Sequence, residues 1–498
     1  YTTIPKLKKN KPNNILNNIH KNIGISDLNK FRLNIISKIN SINNFRENFY
    51  KISKSLVDVI VGNEIAMQLR VSLSIQLPKD DSSLLPVHAD TWTGVSPFET
   101  VVWLPLVDCY KTKSMYILPP KKVDILKNYL KGYYVEDPLL EYVLLVGDVD
   151  HTYKIPTFWF DSYSDGCQVD PTDYKYTFFD DNNPLSPKFF IGRWPIRTED
   201  ELEKIKRRSI GYVTMNLPGL SIPLDPSYLN NALMVAANYG DIFIPVTPVW
   251  TSQWLMDELY NYGYAQVDTA FWQVGDDASD ISTIVTAWNR GVGLIGYRGW
   301  GGATGWAYPD FRNTDLNDLE NIWKLPVVFS FVCNTGDFDR SGGDHCFAET
   351  AITAPADGSS EVPIGAVAVI GPSDKDTDTK FNNPMYGTMM DALLEGRVPE
   401  LAPALHAGKQ CLIEEFGDLL APDTYDFEGT YAEFYHYVYN VLGDPSLPIW
   451  LGEPKNMTTN LTEGTPLTSS HISIIVTNES GEPLMDVVGA LLYNNELI

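Results

Sequence analysis

Cysteine is scarce in this chain. Five cysteines, at 109, 167, 333, 346 and 411, are spread over 498 residues. They are too sparse for a disulfide framework, and their odd number leaves at least one unpaired within the chain. Basic residues are also few: 38 Lys and Arg stand against 63 Asp and Glu, for a formal net charge of −25. A phosphate-binding surface needs clustered Lys and Arg, so nucleic acid is excluded as a general partner. Long apolar runs are missing too. No window approaches about 18 uninterrupted apolar residues and the first segment has no apolar stretch, so neither a membrane span nor a signal peptide is visible.

What is present is enough for several cores. At 44% hydrophobic composition and about 150 residues per domain, the length suggests about three domains. Residues 1–56 hold 11 Lys and Arg against 2 Asp and Glu and are rich in Asn and Ile. Leu and Ile recur at helical spacing through LNKFRLNIISKINSI, so a basic helical segment is expected, with an RNA-binding arm as the alternative. Near residue 121 the texture changes to strand-then-helix repeats: YVLLVGD (142–148), KFFIGRWP (188–195), ALMVAANYGD (232–241), GVGLIGYRG (291–299), LPVVFSFVC (325–333) and GAVAVIGPSD (365–374). Short β-branched runs separated by helical patterns predict an α/β fold with a parallel sheet covered on both faces. Function in such sheets collects at the carboxyl ends of the strands. After about residue 455, ISIIVTNESGEPLMDVV alternates like the start of an immunoglobulin-like β-sandwich. The expected division is therefore 1–120, 121–455 and 456–498.

Cys333 closes one of those runs, in SFVCNTGDFD. A cysteine nucleophile needs a thiolate-favouring setting, a base within hydrogen-bond reach and backbone donors for the oxyanion. The turn Asn334-Thr335-Gly336 after Cys333 is a source of such donors. The competing reading is a buried small hydrophobe, which free Cys commonly is.

The strings LPVVFSFVCNTGDFD, CFAE (346–349), GAVAVIGPSD and LGDPSLPIW, with YVLLVGD, DYKY (173–176) and FIGRWP upstream, resemble the gingipain-type cysteine peptidases in content, order and spacing over about residues 125–452. The resemblance implies a caspase/gingipain-like α/β domain, a cysteine endopeptidase acting on protein or peptide substrates, and an extracellular or cell-surface location. It places Cys333 at the nucleophile and Cys346 at a structural position before a helix. No cofactor is required for such chemistry, and structural calcium is implied as an option.

One position departs from the family. Its general base is the histidine of a Tyr-x-Gly-His-Gly stretch, and the matching segment here reads YRGWGGATGW (297–306), with Trp300 in the histidine's place. Indole has no basic nitrogen and cannot take the thiol proton. Three readings stay open: a peptidase-like binding or scaffolding module; a peptidase using another histidine among His151, His345, His406 and His436; or a reactive thiol whose pKa is lowered by Arg298 or the turn dipoles. His345, just beyond the cysteine turn, is the base taken forward, with Asp173 as its orienting carboxylate; an ordinary turn aspartate is the alternative for Asp173.

Two acidic features complete the reading. Asp337, Asp339 and Ser341 open a D-x-D-x-S-G stretch like a calcium loop, although the twelfth position is Ala348 rather than Glu. Upstream, His88 and Asp90 form the local His-x-Asp pair of an iron facial triad. VHADTW followed by VWLPLVD resembles small 2-oxoglutarate and Fe(II) oxygenases of the phytanoyl-CoA hydroxylase type. The distal histidine and arginine of that family are not reached before the peptidase-like texture begins. Residues 1–120 are thus expected to be an incomplete oxygenase-like segment without a working iron site.

Overall fold

The computed structural model describes residues 16, 18–60, 66–75, 77, 102, 104, 106, 122–164, 168–215, 224–238, 248–339, 344–355, 363–422, 427–461, 473–485, 487, 492–493 and 496–497. The chain divides into two compact units, residues 1–119 and 120–498. In the first, helices Ile25–Asn40 and Phe45–Ile60 are joined by a short turn. The Asn40 amide pairs with the backbone of Val71, donating to its carbonyl at 2.9 Å and accepting from its N–H at 2.8 Å. His88 and Asp90, the expected iron ligands, lie outside the described residues.

The second unit is built on strands β1 (Tyr142–Val146), β2 (Phe158–Asp161), β3 (Val169–Thr172), β4 (Phe190–Trp194), β5 (Asn231–Ala237), β6 (Gln266–Trp272), β7 (Leu294–Arg298), β8 (Gly301–Gly302), β9 (Gly305–Trp306), β10 (Val327–Phe331), β11 (Ala368–Pro372) and β12 (Tyr439–Leu442). Eight of them form one sheet in the order β1-β4-β12-β11-β10-β7-β5-β6. All its pairings are parallel except β11 with β12. The six apolar runs read from the sequence are β1, β4, β5, β7, β10 and β11. Strand β6 at one edge and the short β12 in the middle were not legible as runs.

Alternation along the central strands explains why these sequences are apolar at every position. On β10, Val327, Phe329 and Phe331 enter one core while Val328 enters another; on β5, Ala232 and Met234 face the first and Leu233 and Val235 the second. A parallel strand covered by helices on both faces has no polar side to show. Helices fill the crossovers. Helix Glu199–Thr214 starts with a capping box in which Thr198 and Glu201 satisfy each other's backbone N–H groups. Helix Phe347–Thr353 starts in the same way, with the Cys346 N–H donating to Glu349 at 2.7 Å. Cys346 is fully buried there.

Beyond residue 455 the described pairings are short. Thr458–Thr459 pairs antiparallel with Val476–Thr477, and Leu492–Tyr493 with Glu496–Leu497. Residues 462–472, 486, 488–491, 494–495 and 498 of the expected β-sandwich lie outside the described set.

Candidate active site around Cys333

Strand β10 delivers Cys333 to the carboxyl edge of the sheet two residues past its end, partly exposed. The chain reverses at once. Asn334 takes a left-handed conformation with φ 56, which Asn tolerates better than most residues. Gly336 then passes so close to β11 that a Cβ would sit 2.5 Å from the Gly371 carbonyl oxygen. The turn is fastened to β11 by its own amides: Asn334 N–H donates to the Asp374 carbonyl and Gly336 N–H to that of Pro372, each at 2.8 Å. The donors expected at Asn334 and Gly336 are therefore already used. Cys333 and Thr335 have no such bond from their amides among the described residues, and Thr335 is fully buried. Cys333 is the less buried of the two, and its N–H has no backbone acceptor among the described residues.

The other wall is the β8–β9 hairpin of YRGWGGATGW. A Cβ on Gly301 would stand 3.1 Å from the Cys333 carbonyl oxygen, so the segment carrying Trp300 lies directly on the cysteine's backbone. Trp300 is 46% exposed. Its carbonyl accepts from the Tyr297 hydroxyl at 2.6 Å and from Ala307 N–H at 2.8 Å. Trp306 anchors the hairpin from below, stacked on Tyr297 with centroids 4.4 Å apart and donating to Ser330 Oγ at 3.0 Å. The segment is thus rigidly built where it meets the cysteine's backbone, and it carries the half-exposed Trp300.

No imidazole among the described residues bonds the sulfur. The Cys333 thiol donates to the Thr377 carbonyl and accepts from the Thr377 hydroxyl, both at 3.9 Å. Burial pushes its pKa up; the contacts with Thr377 oppose that, while the charges of Asp376 and Asp374 add to it. Arg298 does not serve as a counter-ion. Its guanidinium is fully buried and spent on the Phe331 carbonyl and on Asn383 Oδ1.

His345 is held elsewhere, 3.2 Å from Glu201 Oε1 and 3.6 Å from Glu349 Oε1. Burial works against its charged form, but the hydrogen bond to Glu201 and the nearby Glu349 carboxylate win and raise its pKa to about 9. An imidazole that keeps its proton at neutral pH cannot accept one from a thiol. His406 and His436 lie in the interior near Lys409. Burial depresses His406 to about 4 and His436 well below the usual range. His151 is exposed, 3.9 Å from Asp148.

Asp173 faces a different cation from the one expected. Its two oxygens bind the Arg193 guanidinium in a bidentate pair, both contacts at 2.7 Å, and Thr157 donates a further bond at 2.9 Å. Arg193 in turn holds the Gly147 and Ile155 carbonyls at 2.7 and 3.1 Å. The carboxylate orders the junction of β1 and β4 rather than an imidazole. Cys333, His345 and Asp173 are therefore not joined by hydrogen bonds into a catalytic relay.

A hairpin that the sequence reading missed, β2–β3, bridges the two loops beside the cysteine. Trp159 Nε1 donates to Asp339 Oδ2 at 2.6 Å, and Ser164 Oγ to Asp376 Oδ2 at 2.6 Å. Asp170 of β3 and Asp374 of the β11 loop are both buried, and each leaves one oxygen without a hydrogen-bond donor. Burial, then the facing Asp374 charge, drives the Asp170 carboxyl pKa far up. In the stretch expected to resemble a calcium loop, Asp339 Oδ2 is engaged by Trp159, and Ser341 lies outside the described residues. Among the described residues no group of three or more His, Cys, Asp or Glu side chains is arranged to hold a metal.

Comparison with known proteins agrees with this geometry. Gingipain R1 of Porphyromonas gingivalis is 26% identical over 362 residues, covering 72% of this chain and 33% of its own length. Lys-gingipain of the same organism is 24% identical over 325 residues, covering 61% of this chain and 17% of its own. The chain thus spans a third or less of the length of these relatives. The crystal structure of the Arg-specific cysteine proteinase gingipain R superposes with a TM-score of 0.58 at 22% identity, covering 71% of this chain and 74% of that one, which shows a shared fold. The complex of the pro- and mature domains of a Porphyromonas gingivalis gingipain gives 0.59 at 21% identity, covering 75% and 82%. The family described as peptidase family C25 matches residues 120–450, and the chain belongs to it.

Proposed function

We propose that this chain is a cysteine-type endopeptidase of gingipain type in which Cys333 attacks the peptide carbonyl and the Cys333 N–H receives the oxyanion. The observation that carries the reading is the placement of a partly exposed thiol at the carboxyl end of β10, before a left-handed turn, within the C25 match. The chemistry runs through an acyl thioester: sulfur bonds to the carbonyl carbon, the amine leaves with a proton, and water releases the acid. No protein imidazole bonds the sulfur among the described residues. The thiol proton therefore leaves to water or to the substrate, and turnover is slow. Protein or peptide is the substrate, and no metal takes part in the steps. An extracellular or cell-surface site of action goes with the family resemblance; among the described residues no helix is long and apolar enough to cross a membrane.

A second reading is favoured by one specific observation, a rigidly held segment on the cysteine's backbone that carries Trp300 where the family has its histidine. It is a peptide-binding module that retains the peptidase pocket without turnover. An unstructured protein incubated with wild type and with Cys333→Ala, and mapped by mass spectrometry, separates the two. Fragments made by wild type and absent with the variant support the peptidase. Equal binding by both proteins with no fragments from either supports the binding module and ends the first proposal.

A further inference from the structure

The sulfur of Cys333 is reached by a chain of hydrogen bonds that starts in the core. The Tyr439 hydroxyl donates to Asn382 Oδ1 at 2.7 Å. The Asn382 amide nitrogen donates to Thr377 Oγ1 at 3.0 Å. The Thr377 hydroxyl donates to Cys333 Sγ at 3.9 Å. Tyr439 and Asn382 are each 1% exposed, so water does not compete for the first of these bonds.

The orientation of the Asn382 amide sets the direction of this chain. A phenol that donates to the amide oxygen determines which end of Asn382 faces it, because only that end accepts. The opposite end is then an N–H donor, and it occupies a lone pair of the Thr377 hydroxyl. A hydroxyl has one hydrogen; with an N–H already against its oxygen, that hydrogen is free for the sulfur. The supports are firm at both ends. Tyr439 opens β12 and stacks on Phe331, two residues before Cys333, with centroids 5.1 Å apart. Asn382 lies in the first turn of helix Thr379–Leu394, whose N-terminus is capped by Asp378, the residue after Thr377. Asp378 N–H is held by the Tyr435 hydroxyl at 2.6 Å.

We infer that Thr377 is a positioning residue for Cys333, its hydroxyl hydrogen aimed at the sulfur by Asn382 and Tyr439 to stabilise the thiolate where the family's imidazole has been replaced by Trp300. The inference rests on Cys333 being the nucleophile. The thiol form also donates to the Thr377 carbonyl, a bond that ends when the proton leaves, whereas the hydroxyl bond strengthens because a charged acceptor binds more tightly than a neutral one. The neighbouring charges of Asp374 and Asp376 oppose ionisation, so this hydroxyl is the favourable partner that the structure provides for the anion.

The test reads the thiol itself. Iodoacetamide alkylation of Cys333, quantified on its own peptide by mass spectrometry, is followed against pH in the full chain. Thr377→Val, which keeps shape and removes the hydroxyl, moves the midpoint up by about one pH unit, leaving about tenfold less thiolate at a fixed lower pH. Thr377→Ser restores the wild-type midpoint. Tyr439→Phe, two bonds away, gives a smaller shift in the same direction and serves if the valine variant fails to fold. A wild-type midpoint in folded Thr377→Val, a serine variant that behaves like the valine one, or an unshifted Tyr439→Phe overturns the inference. Failure here leaves the peptidase reading standing, since that reading is judged by peptide fragments; loss of peptide cleavage with an intact set of midpoints does the reverse.

Discussion

Replacing Asp173 by Ala removes the counter-ion of a guanidinium that has no access to water. The side chains of Arg193 and Asp173 are 1% and 4% exposed, and the carboxylate provides both of its oxygens. Breaking a buried pair by deleting one partner costs about 3–5 kcal/mol, most of it the stranded charge. Here the guanidinium keeps the Gly147 and Ile155 carbonyls, so the loss belongs near the lower end, about 3 kcal/mol. Urea unfolding followed by tryptophan fluorescence reads this as a fall in midpoint at unchanged slope. The double change Asp173→Leu with Arg193→Met leaves no orphaned charge, and it destabilises by less than the sum of the two single changes. A loss below about 1 kcal/mol in Asp173→Ala, together with slowed alkylation of Cys333, would refute this and return Asp173 to the role of an orienting carboxylate.

His345 gives a pH signature. Its folded pKa of about 9 lies above the ordinary histidine value of 6.5, so its stabilisation is complete below about pH 6.5 and disappears as pH rises through about 9. The size is at most about 3 kcal/mol, and His345→Gln should flatten the melting temperature across that window; an unchanged slope contradicts the ion pairing. The Asp170 carboxyl is raised as well, by burial and by Asp374. Stability is therefore lost as pH climbs from the ordinary carboxyl range through the raised value, and Asp170→Asn should match or exceed wild type at pH 7, whereas a clear loss there would mean that the carboxylate is needed ionised. Trp300→His places an imidazole on the segment that touches the Cys333 backbone. Cleavage of an unstructured protein should rise by about 10²-fold or more if only the base is missing, and no gain means that the pocket itself has changed.

The sheet was legible because parallel strands covered on both faces must be apolar at nearly every position, and the six such runs read from the sequence are strands of the main sheet. Strand β12 escaped notice because its four residues Tyr439–Leu442 follow helix Tyr431–Val438 without a break. The nucleophile position was legible from a local string. Its surroundings were not, because they depend on contacts distant in sequence: Asn382 meets Tyr439 across 57 residues and Trp159 meets Asp339 across 180. His345 and Asp173 were picked for being near the right strings, and proximity in sequence did not determine their partners. Glu201, Glu349 and Arg193 took them instead. One local signal was readable and passed over: Asp378 before TKFNN marks a helix N-terminus, which puts Asn382 in a first turn beside Thr377.

The central claim is that Cys333 is the reactive group of a C25 site lacking the family's imidazole. The most direct measurement is labelling by a peptidyl acyloxymethyl ketone at several pH values, with the modified residue mapped by mass spectrometry. The account predicts modification at Cys333, absent in Cys333→Ala, weak at neutral pH and rising on the alkaline side because burial holds the thiol pKa up. Labelling that is already maximal at neutral pH, or that falls on any residue but Cys333, would contradict it.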